Sequence, residues 1–180
     1  DSLYLREYAK VFAWGMTKAE DLEAIRTYYS LLSFVNEGEG ATRLVYLKRY
    51  GLDDASIQHL PQRPENLAYT DCMVKAARDG QGAPECMMAC LPCMVSYQWI
   101  FQRLLQQYPN VRQTPFWPLV RDYTSDAYEQ ACQSWLAYTD RICQDLDTER
   151  KAQCSEIFRE CSLHELHFWE MSLQPRTDLP

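Results

Sequence analysis

The sequence contains little of what marks several large classes of protein. Its 18 Lys and Arg residues are outnumbered by 25 Asp and Glu residues, which gives a formal net charge of −7. It therefore offers no basic surface to nucleic acid or an anionic membrane. No apolar run approaches the roughly 18 residues of a membrane-spanning helix. Only 6 glycines are present, and none of them forms a glycine-rich phosphate loop. We expect no nucleic-acid partner and no membrane partner.

Histidine is also scarce, which bears on metal binding. The only histidines are His59, His164 and His167, whereas metal sites in helical bundles use several inward-facing carboxylates and histidines. A zinc site usually takes its ligands from turns, often as two Cys-x-x-Cys pairs. This chain has one such pair, Cys90 and Cys93, and no visible Ser-His-Asp order. We expect no metal site.

The length and the cysteine content further restrict the number of domains and the class of fold. A chain of 180 residues is typical of one domain. Such a domain buries on the order of 70% of its unfolded surface, so its core needs no cross-links. Eight cysteines leave a disulfide-stapled secreted fold as an alternative, but those folds are usually shorter than about 100 residues. Here the cysteines lie within helical patterns, which favours reduced intracellular thiols and a cytoplasmic protein.

Apolar residues recur with the helical period along almost the whole chain. The pattern predicts an all-α bundle of six or seven helices, with no strand and no internal repeat. Proline-rich segments at 52–64 and 110–118 are typical of loops, and the tail 174–180 is predicted to be loose. The predicted helices are 1–18, 20–36, 44–50, 65–79, 85–108, 124–145 and 148–172.

The chain starts inside the first of these helical patterns. Asp1 and Ser2 could cap this helix, or they could belong to the interior of a longer natural helix. Because Leu5, Tyr8 and Phe12 already follow the helical period, we expect a further helical segment to precede Asp1 in the natural protein.

Three cysteines share one face of the long predicted helix that contains CMMACLPCMVSYQWIF. Cys86, Cys90, Cys93 and Tyr97 are spaced 4, 3 and 4 residues apart, which aligns them along a helix. Cysteine usually acts as a small core hydrophobe, and this is the default interpretation of Cys86 and Cys90. Cys93 follows Pro92, and a proline within a helix kinks it. Spacing alone makes a functional role for Cys93 a minority interpretation. The same core default holds for Cys72, Cys132, Cys143, Cys154 and Cys161.

One carboxylate is predicted to lie on an apolar helix face. Glu165 is preceded by Phe158 and Cys161 and followed by Phe168 and Trp169. Burial there would raise the pKa of the Glu165 carboxyl, because the charged form loses its hydration. An ion pair between Glu165 and an arginine elsewhere in the chain is an equally good interpretation of the sequence.

Aromatic hydroxyl groups are abundant, with 12 tyrosines in the chain. Tyr4, Tyr69, Tyr97 and Tyr123 would each be an ordinary core or rim residue if taken alone. With an acid and a thiol they could form a slot for a flat heterocycle. Asp1 shares the face of Tyr4, but spacing alone favours a helix cap or a frayed terminus for it.

Five segments, in order, resemble the motifs of one family. DSLYLREYAKVFAW is similar to an opening Q-D-[YS]-x-Y-L motif, and LAYTDCM to Y-T-x-x-[LM]. ACLPCMVSYQWI is similar to A-L-L-P-C-x-x-x-Y, and RDYTSDAYEQ to W-I-x-x-Y-x-x-x-x-[FY]. LHELHFWEMS is similar to a closing E-x-x-F-W-x-M-[AS]. By these motifs the chain is identified as a member of the TenA family, also called thiaminase II.

The resemblance implies a heme-oxygenase-like helical bundle, one TenA-like domain over residues 1–180, that forms a homotetramer and needs no heme, metal or other cofactor. It also implies a hydrolase of thiamin salvage. Such enzymes convert 4-amino-5-aminomethyl-2-methylpyrimidine to the hydroxymethyl pyrimidine, and many cleave thiamin itself. The expected partner is therefore a small aminopyrimidine or thiamin.

The resemblance also implies roles for particular residues. The nucleophilic cysteine of the L-P-C motif falls on Cys93. The aspartate that contacts the pyrimidine amino group and the thiol falls on Asp1, and the acid at the pyrimidine nitrogen falls on Glu165. Tyrosines that line the ring slot fall on Tyr4, Tyr69, Tyr97 and Tyr123.

The sequence departs from the family pattern on the third helix. The family often has E-x-E-x-x-x-H there, but this chain has EGEGATR, with Arg43 in place of the histidine and with Gly38 and Gly40 loosening the helix. The loop 106–118 is also longer than usual. Two alternatives stay open: a two-metal oxidase on the same bundle, and a non-catalytic ligand-binding or regulatory module.

Overall fold

The computed structural model describes residues 1–34 and 40–174, and this part of the chain is helical without a β-strand. The predicted all-α bundle is confirmed. A short 3₁₀ helix, Pro109–Gln113, lies between the sixth and seventh α-helices. The α-helices are α1 Ser2–Lys18, α2 Leu22–Phe34, α3 Gly40–Arg49, α4 Asp54–Ile57, α5 Pro64–Asp79, α6 Ala83–Gln107, α7 Trp117–Tyr123, α8 Asp126–Cys143 and α9 Thr148–Ser172.

The two predicted loops were partly wrong, because each contains helical turns. α4 lies within 52–64, and the 3₁₀ helix, which begins at Pro109, covers the first part of 110–118. Proline explains the error at α7, since Pro118 stands in its first turn, where a missing N–H costs nothing and the fixed φ suits a helix. The predictions for Gly38 and for the tail from Pro175 onward lie outside the described residues.

Local capping explains where the later helices begin. The Ser125 hydroxyl accepts a hydrogen bond from the Tyr128 N–H at the start of α8, and the Asp147 carboxylate accepts one from the Arg150 N–H at the start of α9. Both satisfy backbone donors that the first turn leaves open. Arg150 also donates two hydrogen bonds to the buried carboxylate of Glu85, at 2.8 and 3.1 Å, which joins α9 to α6.

α6 is the central helix of the bundle, packed against α1, α5, α8 and α9. It continues without a break through Pro92. Cys86 and Cys90 on this helix are fully buried in the core, as the default interpretation predicted. Among the helices within 1–34 and 40–174, none has the length and apolarity to cross a membrane.

Candidate active site

Four helices bring one predicted site residue each to the same buried place. Tyr4 lies on α1, Tyr69 on α5, Cys93 on α6 and Glu165 on α9. The exposed fractions of these residues are 3%, 0%, 6% and 5%. The rings of Tyr4 and Tyr69 pack with centroids 5.0 Å apart. A thiol, a carboxyl and two phenols therefore lie in one buried region from which water is largely excluded.

Electrostatic effects on the tyrosines show how close these groups are. Burial raises the pKa of Tyr4 well above its ordinary value, and the neighbouring Cys93, Tyr69 and Glu165 raise it further. Burial likewise raises the pKa of Tyr69, with Glu165 and Cys93 adding to the effect. Such electrostatic effects weaken with distance and strengthen at low dielectric. Cys93 and Glu165 therefore lie near both tyrosines, and a change of charge on one group affects the pKa values of the others.

Glu165 behaves as a buried acid. Burial raises the pKa of its carboxyl from 4.5 to about 7, and the Tyr69 hydroxyl and Trp169 indole oppose this increase. Within the described part of the chain, no arginine or lysine forms an ion pair with this carboxylate. Of the two interpretations left open by the sequence, the structure shows the buried acid and not the ion pair.

Three polar atoms around Glu165 lack a well-formed hydrogen bond among the described residues. They are Oε2 of Glu165, the hydroxyl of Tyr69 and Nε1 of Trp169. Tyr69 and Trp169 lie near enough to lower the pKa of Glu165, but none of the contacts is aligned as a full hydrogen bond. An unsatisfied buried polar group costs about 1–3 kcal/mol. A ligand with its own donors and acceptors would satisfy all three.

A second group of aromatic rings stands beside this cluster. Tyr97 packs against Tyr123 with ring centroids 4.9 Å apart and against Trp169 at 5.1 Å. Phe101 stacks on Tyr123 at 4.8 Å with an interplanar angle of 8°. These rings build an aromatic wall, and the faces of its rings are surfaces on which a planar heterocycle can pack.

This wall borders a cavity of about 520 Å³, also lined by Asp1 and by Phe168 and Trp169 of α9. Phe168 packs against Tyr4 with ring centroids 5.6 Å apart, and Trp169 lies one turn after Glu165. Phe168 and Trp169 therefore separate the cavity from the buried cluster. The structure divides the predicted site residues into an inner group, Cys93, Glu165, Tyr4 and Tyr69, and an outer group, Asp1, Tyr97 and Tyr123.

Asp1 stands at the N-cap position of α1, but its side chain makes no capping hydrogen bond. Capping, which spacing alone favoured, is thus not what the Asp1 carboxylate does in the structure. Arg43 lines the same cavity and donates a hydrogen bond to the Ser2 hydroxyl at 2.6 Å. The glutamates that precede Arg43 in EGEGATR, Glu37 and Glu39, lie outside the described residues.

Sequence reasoning missed the role of Phe168 and Trp169, which it treated only as apolar neighbours of Glu165. The closing E-x-x-F-W motif was a signal for them, because residues three and four after a glutamate share its helix face. As for metals, residues 1–34 and 40–174 contain no group of three or more His, Cys, Asp or Glu side chains able to hold an ion.

Comparisons with known proteins agree with the motifs. The model of the TENA/THI-4/PQQC family matches residues 1–175. An aminopyrimidine aminohydrolase of Halalkalibacterium halodurans is 30% identical over 98% of this chain and 78% of its own length. A protein of the same name from Helicobacter pylori is 30% identical over 97% of this chain and 80% of its own length.

Solved structures show the same fold. A TenA family transcription regulator from Silicibacter sp. TM1040 superposes with a TM-score of 0.84 at 21% identity, covering 97% of this chain and 79% of its own. A TenA homologue from P. horikoshii OT3 superposes with a TM-score of 0.77 at 23% identity, covering 93% of this chain and 76% of its own. The resemblance to TenA proteins is confirmed, and the chain belongs to the TENA/THI-4/PQQC family.

Proposed function

We propose that this chain is an aminopyrimidine aminohydrolase of thiamin salvage, an enzyme of the thiaminase II type. It converts 4-amino-5-aminomethyl-2-methylpyrimidine and water to the 5-hydroxymethyl pyrimidine and ammonia. The observation that carries the proposal is that the Cys93 thiol and the Glu165 carboxyl are both buried beside Tyr4 and Tyr69, whose pKa values both groups raise. The names of relatives that match nearly the whole chain support it.

Cys93 is the nucleophile in this mechanism. Its thiolate adds to an electron-poor carbon of the pyrimidine ring, and a C–S bond forms. The amine then leaves the 5-methylene group with the electrons of its C–N bond and takes up a proton. Water adds its oxygen to the methylene carbon, the C–S bond breaks, and the thiolate is restored. One water is consumed and one ammonia is released.

Glu165 supplies the proton that makes the ring electron-poor. With a pKa of about 7, its carboxyl is substantially protonated near neutral pH and can donate to a ring nitrogen. A general acid works best when its pKa lies near the working pH. The Tyr69 hydroxyl and the Trp169 indole N–H lie beside this carboxyl and are buried without full hydrogen bonds, so they are available to pair with the bound ring.

The remaining residues orient the ring. Tyr4 and Tyr69 pack beside the reacting groups, and Tyr97 and Tyr123 form the wall of the adjoining cavity. Fixing the ring against them removes rotational freedom before the reaction, which lowers the barrier. Asp1 lines this cavity, on the outer side of Phe168 and Trp169, where its carboxylate contacts the exocyclic amino group of the bound ring.

Thiamin is a second proposed substrate, because the cavity is large enough to hold it. Beyond Phe168 and Trp169 lies a volume of about 520 Å³, which suits a ligand larger than one pyrimidine ring. The thiazole of thiamin would occupy it while the pyrimidine reached the inner cluster. The relative rates of the two substrates would show which role the enzyme serves.

The assembly and compartment belong to the same proposal. We place the enzyme in the cytoplasm, because its reaction needs a reduced Cys93. It forms a homotetramer, and more than half of the surface of each of Tyr29, Trp99 and Phe116 is exposed and available for subunit contacts. Light scattering on a sizing column tests the tetramer, and a monomer at micromolar concentration would contradict it.

Replacing the nucleophile is the decisive test. The wild type is incubated with the aminopyrimidine, and separately with thiamin, and the hydroxymethyl product is followed by chromatography. Cys93→Ser should lose roughly a thousand-fold or more of kcat, since a serine hydroxyl is a far weaker nucleophile than a thiolate. Cys90→Ser, the same atom change one turn earlier in the core, is the matched control and should retain most activity.

Two results would contradict the proposal. Activity that survives in Cys93→Ser would remove Cys93 from the chemistry. A wild type that binds the aminopyrimidine tightly without turnover would instead indicate a non-catalytic ligand-binding module.

A further inference from the structure

Two cysteines from different helices meet outside the candidate active site. Cys72 of α5 and Cys161 of α9 lie with their Sγ atoms 3.9 Å apart, although 89 residues separate them in sequence. Cys161 is fully buried, whereas Cys72 is only partly buried. A disulfide needs an S–S distance of about 2.05 Å, so a modest change in the Cys72 side chain would close the gap.

Cys72 is open to small molecules, because it lines a second cavity, of about 630 Å³. The charged groups around its sulfur are Lys75, which lines the same cavity, and Glu160, whose Oε2 lies 4.0 Å from Sγ. None of the proposed catalytic residues lines this cavity. Cys161 has no such access and would react only through Cys72.

The two thiols differ in acidity in the direction that a redox pair needs. The hydrogen bond with Cys161 lowers the pKa of Cys72, and Lys75 lowers it too, against the opposing effects of burial and Glu160. The same hydrogen bond and burial raise the pKa of Cys161. Cys72, whose sulfur is the more accessible of the two, is therefore the cysteine that forms a thiolate, which is the reactive form.

We propose that Cys72 and Cys161 are a peroxide-sensitive dithiol that closes reversibly to a disulfide between α5 and α9. The Cys72 thiolate attacks one oxygen of a hydroperoxide, the O–O bond breaks, the other oxygen leaves with the bonding electrons and takes up a proton as water or an alcohol, and Cys72 becomes a sulfenic acid. The Cys161 sulfur then attacks the Cys72 sulfur, the S–O bond breaks, and the hydroxyl leaves as water with the Cys161 proton. Two thiols are oxidised, and one peroxide is reduced. An external dithiol reverses the change.

A second cysteine pair in the chain provides a comparison. Cys143 and Cys154 also lie near each other, but burial raises the pKa of both thiols, that of Cys154 to about 11. This pair lacks an acidic, attacking thiol, so it should not respond to mild peroxide. A reactive thiolate next to a resolving cysteine is the arrangement that redox-sensing pairs have in common.

The reduced protein is treated with graded hydrogen peroxide, its remaining thiols are alkylated, and non-reduced peptides are mapped by mass spectrometry. The first cross-link to form should join Cys72 to Cys161, with the loss of two hydrogen atoms, and dithiothreitol should reverse it. In Cys161→Ser, and in Cys161→Ala if serine disturbs the core, the Cys72 sulfenic acid should accumulate and be trapped by a 1,3-dione. Cys143→Ser should leave the Cys72–Cys161 link unchanged.

The cross-link map of the wild type decides the matter without any variant. A first link between other cysteines, or oxidation of Cys93 while Cys72 stays a free thiol, would overturn the proposal. So would direct conversion of Cys72 to a sulfinic acid with no link. The readout is independent of the hydrolase activity, so a failure here would leave the proposed function untouched.

Discussion

At the scale of one residue, Glu165 combines a proposed catalytic role with a cost to the stability of the fold. Its carboxyl is buried in the helical core, and burial raises its pKa from 4.5 to about 7. Below the folded pKa the group is neutral and costs little. Above it, the folded state must hold an unpaired buried charge. The acid that donates to the ring is thus also a weak point of the fold.

The free energy of unfolding should reveal this cost in Glu165→Gln. Between pH 4.5 and about 7 the folded state keeps a proton that the unfolded chain has lost, so stability falls as the pH rises through this window. Above pH 7 the loss is constant, on the order of 3 kcal/mol. Denaturant titration should therefore find Glu165→Gln more stable than the wild type at pH 8, and similar to it near pH 4.5.

Glu170→Gln is the matched control, because Glu170 is an exposed residue on the same helix. It should change stability by no more than about 0.5 kcal/mol at any pH. If Glu165→Gln were less stable than the wild type at pH 8, the burial cost argued for Glu165 would be wrong.

The pH dependence of kcat/KM should report the titration of the same Glu165 carboxyl. If protonated Glu165 donates to the ring, kcat/KM should fall about tenfold per pH unit above a pKa of about 7. Initial rates from pH 6 to 9 at low substrate measure this limb directly. A profile that stays flat through pH 9 would exclude Glu165 as the acid.

At the scale of elements, the close packing of α1 on α2 supports the helix that carries Tyr4. A Cβ at Gly15 of α1 would overlap ring carbons of Tyr28 on α2. Tyr28 has little freedom to move aside, since it is fully buried and its hydroxyl donates to the Ala83 carbonyl at 2.9 Å. Glycine is needed here for space, because a side chain would push the two helices apart.

Gly15→Ala should therefore destabilise the protein by about 1–3 kcal/mol through overpacking, even though alanine gains about 1 kcal/mol in helix propensity. Thermal or denaturant unfolding measures the net effect. Ala13→Gly, at an exposed position of the same helix, reports the propensity alone and should destabilise by about 1 kcal/mol. A stabilised Gly15→Ala would show that α1 and α2 are not packed this closely.

At the scale of the whole molecule, the site exists only where helices from distant parts of the chain meet. The inner group comes from α1, α5, α6 and α9, and it retains buried polar atoms without full hydrogen bonds. A ligand that satisfies those atoms should bind the folded state alone and stabilise it. The four helices would then be held together by substrate as well as by the core.

Ligand binding should accordingly raise the melting temperature. With Cys93→Ser, which prevents turnover, the aminopyrimidine at about 100 times its Kd should stabilise by about 2.7 kcal/mol. For a domain of this size that corresponds to an increase of about 5–10 °C. Differential scanning fluorimetry measures it, and a Cys93→Ser protein unmoved by saturating aminopyrimidine would contradict a pyrimidine site. Glu165→Gln should show a smaller increase, because the acid that binds the ring nitrogen is gone.

The sequence by itself determined the helical class, several helix boundaries and the family. The predicted helices 65–79 and 148–172 nearly coincide with α5 and α9, because periodic apolar residues, capping side chains and terminal glycines act locally along the chain. The motifs that led to the TenA resemblance are equally local, each lying within one stretch of about ten residues.

Only the tertiary structure decided what those residues can do. Periodicity places Glu165 on an apolar face, but it cannot say whether an arginine from another helix meets it there. The meeting of Cys93 with Tyr4 and Tyr69, and of Cys72 with Cys161, depends on how α1, α5, α6 and α9 pack. Helix packing is set by side chains far apart in sequence, and no local pattern records which of them touch.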